Sequence, residues 1–327
     1  MPLAPSHPHN ERQIANALIN TDEQILAVIY HAIDACYSLQ RRLPMHLLQT
    51  FRFCSHPAVW FSFILCTAMV RAQEPTPIPY DHNPVKGKFY DINGFRMYTE
   101  VYGSGPPLLM IHGNNGDMSA FAKNVPYFAA HYKVILADSR SQGKSLDPDH
   151  PLTFEMMADD YSALLDAMHI PSAYVIGWSD GGINALLLAI RHPEKVKRLA
   201  STGANLWPTA DAFQPGIWDD EKKEYESGLH KTYSTAQEKN NRKLFLLDWQ
   251  EPHITLAQLH LIQAPSLIIC GDHDLISVPH TVLIYQNIPH ANLWVVPNSG
   301  HGTLREHTDD FNHQVDRFFS EPYKDFQ

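Results

Sequence analysis

Cysteine is nearly absent from most of this chain. Of four in 327 residues, Cys36, Cys54 and Cys66 fall within the first 72, and only Cys270 follows. Residues 73–327 therefore close no internal disulfide, and without a C-x-x-C pair they carry no structural-zinc signature. Basic charge is short as well. The whole chain has 25 Lys+Arg against 35 Asp+Glu, a formal net charge of −10. A nucleic-acid binder needs a basic surface, so that class loses its support. No internal repeat is visible, which sets aside solenoids and propellers. With 44% hydrophobic residues the chain is too apolar to remain disordered.

Long apolar runs are also missing. One uncharged, mostly apolar stretch, Ala58–Val70 (AVWFSFILCTAMV), has 13 residues. A membrane-spanning helix needs about 20. Thirteen suit the apolar region of a signal peptide, and Val70-Arg71-Ala72 offers small residues for a cut before Gln73. A Pro-rich polar segment (EPTPIPYDHNP) follows. The expectation is a signal peptide over 45–72 with Met45 as the true start. The protein would then be secreted or periplasmic, without stable membrane association. The alternative is an uncut chain, cytoplasmic or membrane-anchored, with a genuine N-terminal helix over 22–41. Thr21 and Gln24 form a capping box there, and Ile25, Ile29, Ala32, Ile33 and Cys36 recur at helical spacing. Residues 1–44 are thus an extension of undecided role, and 73–327 the folded domain.

That domain alternates short β-rich runs with helix-length segments, the pattern of a mainly parallel sheet covered on both faces. The expected strands are Gly87–Ile92, Phe95–Tyr102, Pro107–Ile111, Val134–Asp138, Ala173–Gly177, Val196–Thr202, Ser266–Gly271 and Asn292–Val296. Asn93-Gly94 marks a hairpin between the first two. Continuous apolar runs such as PLLMI and SLIIC indicate strands buried on both faces. Thr153–Met168 reads as a helix. From Gly203 to Ile262 no strand is evident, and helices are expected around Asp219–Glu226 and Lys239–Leu247. Capping boxes are expected at Ser234–Gln237 and Thr255–Gln258. This segment, about 203–260, reads as a lid.

One motif carries chemistry. Gly177-Trp178-Ser179-Asp180-Gly181 fits G-x-S-x-G, with the strand AYVI before it and the helix GINALLLAI after it. Small glycines permit a tight strand-to-helix turn that thrusts the serine hydroxyl outward. The helix N-terminus beneath it favours developing negative charge.

With His112-Gly113-Asn114, the loop Asp138–Ser145 (DSRSQGKS), Gly271-Asp272-His273-Asp274 and Ser299-Gly300-His301-Gly302, this motif makes the chain resemble the α/β-hydrolase fold superfamily over nearly all of 85–320. GWSDGG, TGAN and PNSGHGTL are most similar to its small esterases and C–C hydrolases, the subgroup that includes valacyclovir hydrolase-like enzymes. The resemblance implies the α/β-hydrolase fold: a mostly parallel eight-stranded sheet, helices on both faces and a small helical lid. It also implies a Ser-Asp-His triad of Ser179, Asp274 and His301. Asp272 is the alternative acid, and no carboxylate follows the strand ending STGANL. Backbone N–H groups of Asn114 and Asp180 would form the oxyanion hole. His112, Asp138 and Arg140 would brace loops. The DSRSQGKS loop departs from the family's D-x-R-G-x-G-x-S at Ser141 and Gln142.

The implied activity is a serine hydrolase acting on a small carboxylic ester through an acyl-enzyme. Alternatives are C–C bond hydrolysis, cofactor-free perhydrolysis or a non-catalytic ligand-binding role. No metal or organic cofactor is implied, and the expected partner is a small-molecule ester rather than nucleic acid. Substrate contacts are expected from Trp178, Asp180 and Trp207, with Phe213 and Trp249 as further candidates. The Asp180 carboxylate could pair with a substrate ammonium, or simply brace the turn.

Overall fold

The computed structural model describes residues 79–147 and 150–324. The signal peptide and N-terminal helix expected before residue 73 lie outside the described residues.

Eight strands form one sheet in the order β1-β2-β4-β3-β5-β6-β7-β8. They are β1 (Gly87–Ile92), β2 (Phe95–Tyr102), β3 (Pro107–Ile111), β4 (Lys133–Ala137), β5 (Ala173–Trp178), β6 (Val196–Thr202), β7 (Ser266–Gly271) and β8 (Ala291–Val296). β2 runs antiparallel to β1 and β4, and every other pairing is parallel. The expected β4 is displaced by one residue, while β5 gains Trp178 at its end and β8 gains Ala291 at its start. Asp138 leaves the strand because its carboxylate turns back to accept from the N–H groups of Met118 and Lys144.

Among the described residues, six helices have nine or more residues: α1 (Phe154–Ala167), α2 (Asp180–Arg191), α3 (Ile217–Gly228), α4 (Ala236–Gln250), α5 (Val278–Gln286) and α6 (Thr308–Ser320). Successive strand side chains point to opposite faces, and the core divides accordingly. Leu109, Ile111, Ile135 and Val175 meet Phe154 and Tyr161 of α1 and Leu186 of α2. Leu108, Met110, Val134 and Ile176 meet Phe128 and the α6 residues Phe311, Val315 and Phe319. All of these are at most 2% exposed. Burial on both faces explains the unbroken apolar runs of the parallel strands.

The segment between β6 and β7 carries α3 and α4. Thr235 caps α4 with Glu238 in a capping box, one residue later than expected. Thr235 wins over Ser234 because Glu238, three residues on, can return its carboxylate to the Thr235 N–H. The Thr255–Gln258 box forms as expected. Helix α4 is anchored to the body. Leu244 and Leu247 enter the core, and Asn240 Nδ2 donates to Ser141 O at 2.8 Å. Helix α3 is looser, with only Gly228 buried. It is held by a ring stack in which Trp218 lies 4.5 Å from Trp249, which lies 4.7 Å from Tyr225.

Candidate active site

The parallel strands end on one edge of the sheet, where ligands bind in folds of this type. Ser179 sits between β5 and α2 with φ 58° and ψ −122°. For a residue with a side chain this is strained backbone, of the kind that clusters at functional sites. The turn is possible because its neighbours lack Cβ atoms. A Cβ on Gly181 would fall 1.9 Å from Ile111 O, and one on Gly177 2.0 Å from Gly181 O.

His301 follows β8 and Asp274 follows β7. His301 Nε2 lies 2.9 Å from Ser179 Oγ, and His301 Nδ1 lies 2.6 Å from Asp274 Oδ1. Asp274 is fully buried. Its Oδ1 also accepts from the Ile276 N–H at 3.1 Å. Asp272 stands apart from this chain of contacts. It accepts from the Ser299 N–H at 3.0 Å and supports the turn, which holds its carboxyl below the usual range. Glu306 secures the histidine loop, accepting from Ser299 Oγ at 2.9 Å and the Gly300 N–H at 2.7 Å.

Buried polar contacts fix the surrounding loops. His112 Nε2 accepts from the Ser139 N–H at 2.9 Å, and its Nδ1 lies 2.8 Å from Gly113 O. The ring is therefore the neutral Nδ1–H tautomer, and burial pushes its pKa down. Arg140 binds Asp147 at 2.6 Å and Asp160 at 2.7 Å, and packs over the Phe95 ring at 3.9 Å.

A cavity of about 160 Å³ opens onto Ser179 and His301. Its wall includes four carboxylates, Asp180, Glu221, Asp248 and Glu251, and neither Lys nor Arg. Asp180 is 4% exposed, and its Oδ2 is buried with no hydrogen-bond donor among the described residues. Asp248 of α4 faces the Asp180 carboxyl, and Asn114 lies beside both. Burial and the facing carboxylate push Asp180 well above the usual carboxylate range. Burial raises Asp248 to about 6, opposed by Asn114 and Asp180 beside it. Two carboxylates this close cannot both ionise as freely as isolated ones.

The remaining expected contacts divide. Phe213 lines the cavity, together with Ile217 and Trp218 of α3. Trp178 and Trp207 do not. A half-buried indole N–H seeks a partner, and both found theirs elsewhere: Trp178 Nε1 donates to His301 O at 2.8 Å, and Trp207 Nε1 to Asp211 at 3.0 Å. Trp249 is occupied by the ring stack. Asn114 projects its side chain onto the lid, donating to Leu244 O at 3.2 Å. Asp248, Glu221 and Trp218 went unrecognised in the sequence. They lie in a segment without a motif, and only the helical spacing of Ile217, Trp218 and Glu221 hinted at a shared face.

The profile of the alpha/beta hydrolase fold family matches residues 106–253. Serine hydrolase BPHL of Mus musculus is 27% identical over 246 residues, covering 69% of this chain and 84% of that protein. The 2-hydroxy-6-oxo-6-phenylhexa-2,4-dienoate hydrolase of Burkholderia cepacia is 27% identical over 270 residues, covering 69% and 93%. Among solved structures, the enol-lactonase of Burkholderia xenovorans LB400 superposes with a TM-score of 0.59 at 21% identity. It covers 72% of this chain and all of its own, a likeness of fold alone.

Proposed function

The chain is an α/β-hydrolase, and we propose that it cleaves small carboxylic esters of amino acids through Ser179, His301 and Asp274. The observation that carries the reaction is the unbroken relay from Ser179 Oγ through His301 to buried Asp274, with links of 2.9 and 2.6 Å. Ser179 Oγ attacks the ester carbonyl while His301 Nε2 takes its proton. Asp274 holds the Nδ1–H tautomer and stabilises the imidazolium. The tetrahedral oxyanion is received by the backbone N–H groups of Asp180 and Asn114. Support for that pairing comes from packing, since a Cβ on Gly113 would fall 3.0 Å from Ser179 Cβ. Asp180 N also opens α2, where N–H groups lack helical partners. As the acyl carbon–oxygen bond breaks, His301 returns the proton to the leaving alkoxide. Water then hydrolyses the acyl-enzyme by the same relay, releasing the acid and regenerating Ser179.

The cavity's charge argues for the acyl group. Asp180, beside the nucleophile, has an undonated buried oxygen, and an α-ammonium would supply the missing N–H. The same charge disfavours C–C hydrolysis of an anion such as the dienoate named for the Burkholderia cepacia relative. Ser179→Ala is expected to abolish both p-nitrophenyl acetate hydrolysis and fluorophosphonate labelling. Retention of either would overturn the reaction.

A further inference from the structure

The lid side of the cavity has a pattern that an α-ammonium alone leaves unused. Glu221 lies one helical turn beyond both Ile217 and Trp218 on α3, and all three line the cavity. With Phe213 they form an apolar wall that ends in a carboxylate. Phe213 stacks on Trp218 at 5.6 Å, which stiffens that wall. Glu221 is half-buried, and its neighbours Glu224 and Asp220 are like-charged. Burial and these two push its carboxyl up. No hydrogen bond or ion pair relieves it among the described residues. Its charge is felt at Asp248, so the two carboxylates share one electrostatic environment.

An apolar stem that ends in a cation is the complement of such a wall. Asp180 takes one ammonium beside Ser179. The acyl side chain must then run into the rest of the cavity, where an unbranched four-carbon stem meets Phe213 and Trp218. We infer that Glu221 recognises a second ammonium, so that the preferred substrates are esters of basic diamino acids such as lysine and ornithine. This rests on the aminoacyl-ester reading above and leaves the bond-breaking steps unchanged. Beside this wall, Asp180 Oδ2 is buried without a hydrogen-bond partner among the described residues, an acceptor that a cationic ligand in the same cavity would satisfy.

The test compares methyl esters of L-lysine, L-norleucine and hexanoic acid. Norleucine keeps the stem and the α-ammonium but lacks the second cation, and hexanoate lacks both. The lysyl ester should exceed the norleucyl ester by about tenfold or more in kcat/KM, the scale of one charge-assisted contact. Glu221→Gln should shrink that ratio by about fivefold or more. A wild-type ratio near one, or a ratio that survives Glu221→Gln, overturns the inference while leaving the aminoacyl reading in place. A norleucyl ester no faster than the hexanoyl ester overturns that reading and the inference with it. The wild-type comparison stands even if the variant folds poorly.

Discussion

The Asp248 carboxyl, carried by α4, faces the Asp180 carboxyl at the head of α2. Both are raised, so the pair keeps a proton under conditions where exposed aspartates are ionised. On the aminoacyl-ester proposal, a substrate ammonium would compete with that proton. Selectivity for cationic acyl groups should therefore grow with pH through about 6, the value to which Asp248 is raised. The measurement is the ratio of kcat/KM for an aminoacyl ester to that for a plain acyl ester. Both substrates share the histidine limb, so it cancels. A flat ratio between pH 5 and pH 8 would contradict the pair's role.

The same pair sets a stability trend. A carboxyl raised in the folded state binds its proton more tightly there than in the unfolded chain. Its contribution is present at low pH and is lost as pH rises from the unfolded value, about 4, through about 6. Asp248→Asn keeps a neutral, hydrogen-bonding side chain, so its melting temperature should fall less than that of the wild type across this window. Parallel melting curves would show that the pair does not titrate there.

Asp180→Asn should lower kcat/KM by about 10- to 100-fold for aminoacyl esters, since it removes a charged acceptor and keeps the backbone N–H. Plain acyl esters should lose less. Equal losses would mean that the side chain only braces the turn.

Asp274 and Asp272 are two residues apart but stand in different environments. Asp274→Asn should lower kcat by about 10³- to 10⁴-fold, because an amide favours the wrong histidine tautomer. Asp272→Asn should cost far less in rate. A reversed order in single-turnover kinetics would transfer the acid's role.

Gly203 has φ 69°, and a Cβ there would sit 2.7 Å from His301 Cε1. Gly203→Ala should displace the imidazole and reduce kcat by about 100-fold, the cost of misplacing a reacting group by about 1 Å. Fluorophosphonate labelling kinetics would report the loss directly.

Much of this architecture was legible because buried parallel strands leave continuous apolar runs, and all eight fell within a residue or two of their places. The relay was legible for a different reason. Ser179, Asp274 and His301 each follow a strand that ends on the same edge, and the resemblance to the α/β-hydrolase fold singled out Asp274 over Asp272. The acidic cavity was not legible. Asp248 and Glu221 lie on amphipathic helices where acids ordinarily face solvent, and only tertiary packing turns them toward Ser179. The tryptophans misled because an indole beside a motif can serve either substrate or scaffold. For Trp178 and Trp207 the scaffold's hydrogen-bond acceptors prevailed.

The Trp178 indole, tied to the His301 carbonyl, has one more consequence. It ties the strand bearing the nucleophile to the loop bearing the base. The cavity carboxylates Glu221 and Asp248 come from α3 and α4, a separate stretch of chain. The relay and this acidic wall are thus written in different segments, so substrate preference should be adjustable by changing cavity-facing residues within 217–250 while Gly203 and the relay stay in place.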